Sequence, residues 1–213
     1  MIFSKNCITT YTDVKGKCSL IFFTYGCNLH CFECHVYAEL NVPTVTIIPA
    51  DTSWVLDRIK EGEGFVDCVI FSGGEFLIND VDEIEKFLIE VKEIFSGKII
   101  INTNGTFPKK MDRLSYLIDG FYLDVKAPFW LLNGYNVVDS AYFKLIYGVD
   151  YSPELILNLK KSLLFLSSRK SEYDRTRTVK YPIMPDCMFS DIEKAMKRLN
   201  LEHDFNPFVE EEP

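Results

Sequence analysis

Four short apolar runs, at residues 18–24, 66–71, 98–102 and 121–125, set the firmest limit on how this chain can fold. Strands with one face in water alternate apolar and polar residues, whereas strands buried on both faces read as nearly continuous apolar runs. Between the runs lie segments of helical period. Val55 and Ile59 share one face after Asp51 or Ser53, either of which can cap a helix that Gly62 and Gly64 stop. Ile84, Phe87, Leu88, Val91, Ile94 and Phe95 recur at helical spacing after Asn79 or Asp80, with Gly97 at the far end. Strands alternating with helices imply right-handed crossovers and a parallel sheet.

The rest of the chain extends this pattern. Residues 7–12 read as a short strand and 13–17 as a turn into the first buried run. Helices are expected over 108–117, over 153–168 with a stripe of Leu155, Ile156, Leu159, Leu163 and Leu166, and over 190–199. Strands are expected near 176–181 and 204–209. Residues 128–151 are rich in aromatic side chains without a clean period and read as a long loop plus a short helix. About six βα units result, fewer than the eight of a closed barrel. The expected architecture is therefore α/β, a partial, open parallel β/α barrel with a short N-terminal β extension. At 213 residues, with 47% of them apolar and no Pro- or Ser-rich break, the chain reads as one domain over 1–213 with a core at about 18–209.

Charge and cysteine usage narrow the function. The formal net charge is -8 and the lysines and arginines are scattered, so a phosphate backbone finds no basic face and nucleic acid is not an expected partner. The densest acidic patch, Glu210, Glu211 and Glu212, reads as a solvated end. No apolar run approaches the ~20 residues of a membrane span, and the N-terminus lacks the apolar core of a signal peptide. A cytoplasmic location is expected. Thiols stay reduced there, so seven cysteines, an odd number with three clustered, point to metal rather than disulfides.

The cluster is Cys27, Cys31 and Cys34, in the loop leaving the first buried strand. Three thiolates at this spacing can hold an iron-sulfur cluster with one iron lacking a protein ligand, or a zinc knuckle completed by His35 or a distant group. Both remain open on the loop alone. Cys27, Glu75, Asn104 and Asp124 follow four successive strands, which gathers them at one end of the sheet, where α/β folds build sites. Cys7, Cys18, Cys68 and Cys187 are spread singly and read as structural. The histidines, His30, His35 and His203, form no catalytic pair.

Together with Ser72-Gly73-Gly74-Glu75, the cysteine spacing resembles the radical S-adenosylmethionine superfamily. Within it the chain is most similar to activating enzymes of glycyl radical enzymes, and among these to the anaerobic ribonucleoside-triphosphate reductase activating proteins. The likeness rests on Asp13-Val14-Lys15-Gly16-Lys17, Gly26-Cys27-Asn28-Leu29, Cys34-His35, Thr103-Asn104-Gly105-Thr106, Asp124-Val125-Lys126-Ala127-Pro128, and Arg177-Thr178-Val179 leading to Pro182. It implies a 4Fe-4S cluster on Cys27, Cys31 and Cys34, with S-adenosylmethionine chelating the open iron. Gly73 and Gly74 would admit close backbone approach, and Glu75 would accept from the cofactor's ammonium group. Thr103 and Asn104 would lie near the ribose or methionyl group. Asp124 and Lys126, two apart and so on one side of the strand end, would meet the methionyl end, with Arg177 in the same pocket.

The implied reaction is one-electron cleavage of the cofactor to a 5'-deoxyadenosyl radical that takes hydrogen from a glycine of a partner enzyme. The expected partner is a glycyl radical enzyme, first of all anaerobic ribonucleotide reductase, with a flavodoxin or ferredoxin type electron donor. Two alternatives stand beside it: a small-molecule enzyme of the superfamily such as a 7-carboxy-7-deazaguanine synthase, and a non-catalytic iron-sulfur or zinc-binding module. The chain departs from the family pattern at Glu33, where an aromatic residue would lie against adenine, at Phe76 in place of proline, and at Ile183 in place of glycine.

Overall fold

The computed structural model describes residues 1–34, 48–126 and 137–207. Strand β1 (Phe3–Thr10) runs antiparallel to β2 (Ser19–Thr24) and to the two-residue β3 (Pro49–Ala50). The alternating units follow: α1 (Thr52–Gly62), β4 (Cys68–Gly73), α2 (Val81–Ile94), β5 (Lys98–Thr103), α3 (Pro108–Leu114) and β6 (Gly120–Asp124). Then come α4 (Val137–Tyr147), α5 (Pro153–Arg169), β7 (Arg175–Lys180), α6 (Asp186–Arg198) and β8 (His203–Pro207). The sheet order is β3-β1-β2-β4-β5-β6-β7-β8, and every neighbouring pair from β2 to β8 is parallel. The outer strands β3 and β8 do not pair, so this is an open parallel β/α barrel with an antiparallel N-terminal extension.

The strands' period-2 geometry sorts their side chains into two layers. Phe22, Val69, Phe71, Ile99, Ile101, Phe121 and Leu123 share a large core with the buried faces of the helices, including Val55 and Ile59 of α1, Ile84 and Leu88 of α2, Leu163 of α5 and Ile192 of α6. Ile21, Cys68, Ile70, Ile100 and Tyr122 point the other way and form a second, smaller core. Among the described residues no helix residue joins that second cluster. Its cover comes instead from the turn after β1, where buried Val14 packs on it and Asp13 O accepts a hydrogen bond from the Tyr122 hydroxyl (3.0 Å). Helices on one face and a short plug on the other leave the inner face above the plug free for polar groups.

Several boundaries differ from the sequence reading. β1 starts at Phe3 rather than residue 7, because Phe3 and Ser4 pair with Ala50 and Pro49 and the completely buried Phe3 ring packs among Phe71, Phe76 and Phe87. α6 starts at Asp186, one turn early, with Pro185 before it and no side-chain cap. Helix α2 ends at Ile94, before Gly97, and α3 ends at Leu114. Within the aromatic stretch, Phe143 and Tyr147 of α4 are buried and stack at 4.5 Å, with Tyr151 edge-on to Phe143 at 5.7 Å. Phe129, Trp130 and Tyr135 lie outside the described residues, as does Val209, the expected end of the last strand. Among the described residues no helix is long and apolar enough to cross a membrane.

Candidate functional site

The cysteine loop leaves β2 at its carboxyl end and is held by the adjacent strand ends. Gly74 N–H donates to Thr24 O (2.9 Å) and Glu75 N–H to Gly26 O (2.7 Å). A Cβ on Gly74 would sit 2.1 Å from Gly26 O, and Gly73 adopts φ +101° with its Cα against the Thr24 backbone. These two glycines let the chain approach itself, docking the turn after β4 onto the start of the cysteine loop. The loop's far side is held by α4, whose Tyr147 O and Ile146 O accept from His30 N–H (3.0 Å) and Phe32 N–H (3.1 Å). Leu29, just before His30, is buried and anchors the loop in the core.

Glu75 lies beneath the loop, fully buried, and its carboxylate is taken up by the protein. Oε1 accepts from Leu77 N–H (3.1 Å) and Thr103 Oγ1 (2.9 Å), and Oε2 accepts from Asn104 N–H (2.6 Å). Burial pushes its pKa up to about 7, against the pull of these three donors. Asn104 continues the network: its Nδ2 donates to Asn28 Oδ1 (2.9 Å) and lies 3.8 Å from Cys27 Sγ, while its Oδ1 accepts from Thr106.

One strand further, Asp124 at the end of β6 takes two cations. Lys126 Nζ meets Oδ2 at 2.9 Å and Arg177 Nε of β7 meets Oδ1 at 2.8 Å. Burial works to raise the Asp124 pKa, but the charges of Lys126 and Arg177 outweigh it and hold the carboxyl at about 2. The trio carries one net positive charge.

These groups surround a cavity of about 230 Å³ at the carboxyl ends of the strands. The sequence-predicted residues Cys27, Cys31, Cys34, Gly73, Gly74, Thr103, Asn104, Asp124, Lys126 and Arg177 all line it. Glu75 does not line it; its oxygens face the backbone of β5's end instead of the cavity. A second, wider hollow of about 1050 Å³ opens on the inner face of β6, β7 and β8, bounded by the 12–17 turn, and Arg177 borders both.

The family model described as the Radical SAM superfamily matches residues 21–138, more than half of the chain and the stretch that carries the cysteine loop, the glycine turn and the ends of β5 and β6. The chain belongs to the radical SAM superfamily. It is 28% identical over 196 residues, 89% of its length and 72% of the relative's, to a Methanocaldococcus jannaschii protein provisionally named a glycyl-radical enzyme activating enzyme. In fold it is similar to the methylornithine synthase PylB (TM-score 0.63, 13% identity, 88% of this chain and 52% of that one). It is also similar to native anSMEcpe, solved with bound AdoMet (TM-score 0.61, 16% identity, 88% of this chain and 50% of that one). The chain thus spans about half the length of these solved structures.

The radical SAM family implies a 4Fe-4S cluster and S-adenosylmethionine, and the donor set fits both. Three thiols face one cavity, each free of any disulfide. A four-iron cluster takes one thiolate per iron, so its ligands need not converge on a point. Among the described residues no three His, Cys, Asp or Glu side chains are grouped as a single ion requires; His35, one of the fourth ligands open to the zinc reading, lies outside the described residues. Burial pushes the Cys27 thiol up to about 11 and raises that of Cys31, so these thiols need positive charge nearby to ionise, as iron would provide and as Lys126 provides in part. The cationic trio suits a carboxylate.

Sequence reasoning missed Ser72, Asn102, Val179 and Tyr181, which also line the cavity. Their signal was the strand period: Ser72 stands two beyond Ile70, Asn102 two beyond Ile100, and Val179 two beyond Arg177, all on the inner face. Tyr181 is buried and receives the Phe32 ring edge-on at 5.7 Å, so an aromatic wall stands beside Glu33 although Glu33 occupies the expected aromatic place.

Proposed function

We propose that this radical SAM protein, residues 1–213 forming one such domain, is an activating enzyme that generates a glycyl radical on a partner enzyme. The observation that carries the reading is the cavity itself, with three thiols on one wall and a carboxylate bridged to two cations on the other. The provisional name of the Methanocaldococcus jannaschii relative supports the activating role. Cys27, Cys31 and Cys34 hold the cluster. When bound, the cluster and S-adenosylmethionine supply one-electron cleavage of a carbon-sulfur bond and, from it, abstraction of a hydrogen atom from the partner's glycine.

The protein's own part is binding, orientation and exclusion of water. Lys126 and Arg177, each with donors beyond those used on Asp124, receive the cofactor's methionyl carboxylate, and Asp124 accepts from its ammonium. The backbone of Gly73 and Gly74 borders the methionyl chain. Thr103 and Asn104 set the floor, with Glu75 beneath them as the group that fixes both. Tyr181 offers a face to adenine. The wider hollow on the inner face is the way in for a glycine-bearing loop, because it opens to solvent and meets the cofactor cavity at Arg177. The partner proposed first is anaerobic ribonucleotide reductase, and the electron donor a flavodoxin or ferredoxin.

Anaerobically reconstituted protein, once reduced, is expected to convert S-adenosylmethionine to methionine and 5'-deoxyadenosine. Incubated with the partner, it should raise a protein-based glycyl doublet in the electron spin resonance spectrum. Cleavage without a doublet on any glycyl radical enzyme would turn the reading toward a small-molecule substrate; no cleavage at all would sink it. Cys31→Ala should lose both the cluster's brown colour and cofactor cleavage.

A further inference from the structure

We propose that Asn104 is a positioning residue for the cluster, donating its side-chain N–H to the sulfur of Cys27 and raising the potential at which the cluster takes its electron. The inference rests on the reading of Cys27, Cys31 and Cys34 as cluster ligands. Its basis is the accounting of hydrogen bonds around one buried amide. Asn104 is 6% exposed, so each of its polar atoms needs a partner within the protein. Oδ1 accepts from both Thr106 N–H (3.0 Å) and Thr106 Oγ1 (2.7 Å). A flipped amide would set its NH2 against that backbone N–H, so the orientation is fixed.

With Oδ1 committed, Nδ2 faces the cysteine loop. One proton goes to Asn28 Oδ1 at 2.9 Å, and the other lies toward Cys27 Sγ at 3.8 Å. Asn28 Nδ2 returns to Thr106 Oγ1 (3.0 Å), closing a ring that Asn104, Thr106 and Asn28 share. The ring is fixed to the sheet from below, since the Glu75 carboxylate holds the Asn104 backbone N–H at 2.6 Å and the Thr103 hydroxyl at 2.9 Å. The donor is therefore preorganised toward the sulfur.

A neutral thiol is a weak acceptor, but a cluster-bound thiolate carries negative charge that increases when the cluster gains an electron. A donor held against that sulfur stabilises the reduced form more than the oxidised one, and the potential rises. Bracing alone would not distinguish the two oxidation states.

The experiment uses the full chain, reconstituted anaerobically with iron and sulfide, and reads the midpoint potential by a redox titration followed by electron spin resonance. At the wild-type midpoint, the reduced-to-oxidised ratio in Asn104→Ala should fall roughly tenfold, the worth of one hydrogen bond to a charged group. Asn28→Ala, which removes two bonds of the same ring but none to sulfur, should leave the midpoint unmoved. Equal shifts in both variants, or a shift in neither, would overturn the inference. Should Asn104→Ala fail to assemble a cluster, reduced wild-type protein labelled with 15N in its asparagine side-chain amides decides the matter: a resolved nitrogen coupling to the cluster supports the bond, and its absence refutes it. If the wild type itself assembles no cluster, the ligand reading fails first and the inference falls with it.

Discussion

Two carboxylates, Glu75 after β4 and Asp124 at the end of β6, stand on either side of β5 and are treated in opposite ways. Glu75 is completely buried and, among the described residues, is met by dipoles, two backbone N–H groups and a hydroxyl. Asp124 keeps part of its side chain open to the cavity and is met by two full positive charges. Dipoles only partly offset the cost of burying a charge, so Glu75 sits at about 7; two cations more than offset it, so Asp124 sits at about 2. The first is a structural clamp, and the second is a charged surface turned toward the cavity.

If Glu75 is the clamp, its removal should have the largest effect on folding. Glu75→Ala leaves three buried donors without partners, and a loss of about 3 kcal/mol is expected in urea denaturation of the apoprotein. An effect below about 1 kcal/mol would mean that the carboxylate is not what holds the ends of β4 and β5 together.

The same residue gives a pH test. Its folded-state pKa of about 7 lies above the ordinary value of 4.5, so the folded form binds the proton more tightly. The stability this contributes is full below about pH 4.5 and is lost as pH rises through 7, at up to ~1.4 kcal/mol per pH unit. His203, which burial pushes down to about 4, slopes the other way between its folded and unfolded values, so the readout is the wild-type minus Glu75→Ala difference. The cost of the substitution should shrink between pH 5 and pH 8. A cost that does not shrink would show that the three donors win over burial and that Glu75 is ionised throughout.

Asp124 should respond differently. In Arg177→Met it keeps only Lys126, and because the trio is partly open to solvent the stability loss should be about 1 kcal/mol. Binding of S-adenosylmethionine to the reconstituted protein, followed by equilibrium dialysis, should weaken roughly tenfold with the loss of a charge-assisted partner for its carboxylate. A large stability loss with unchanged affinity would reverse the contrast between the two carboxylates.

Much of this arrangement was legible in the sequence, for identifiable reasons. The doubly buried runs announced a parallel sheet, because few other environments bury consecutive side chains, and the loops after them carried the site. Which way Glu75 points was not legible. Its acceptors serve Thr103 and Asn104, 28 and 29 residues away, and a motif names a carboxylate without saying where its oxygens face. Gly73 and Gly74 were expected to make room for a ligand, yet a side chain on either would first strike Thr24 or Gly26 of the chain itself. The early start of β1 escaped because its partner, Pro49–Ala50, lies far along the chain, and the early start of α6 because Pro185 gives no side-chain cap.

The smallest expected effect tests how the clamp divides its work. Thr103 donates to Glu75 Oε1 at 2.9 Å and accepts from Gly105 N–H at 3.1 Å, so Thr103→Val removes one of the carboxylate's three donors and leaves the shape of the side chain nearly unchanged. The stability loss should be about 1 kcal/mol, a fraction of the Glu75→Ala cost. Fewer donors also means less compensation for the buried charge, so the Glu75 pKa should rise above its wild-type value and the pH-dependent loss should reach further into the alkaline range. If Thr103→Val instead costs as much as Glu75→Ala, the hydroxyl, not the carboxylate, is the element on which the turn after β4 and the end of β5 depend.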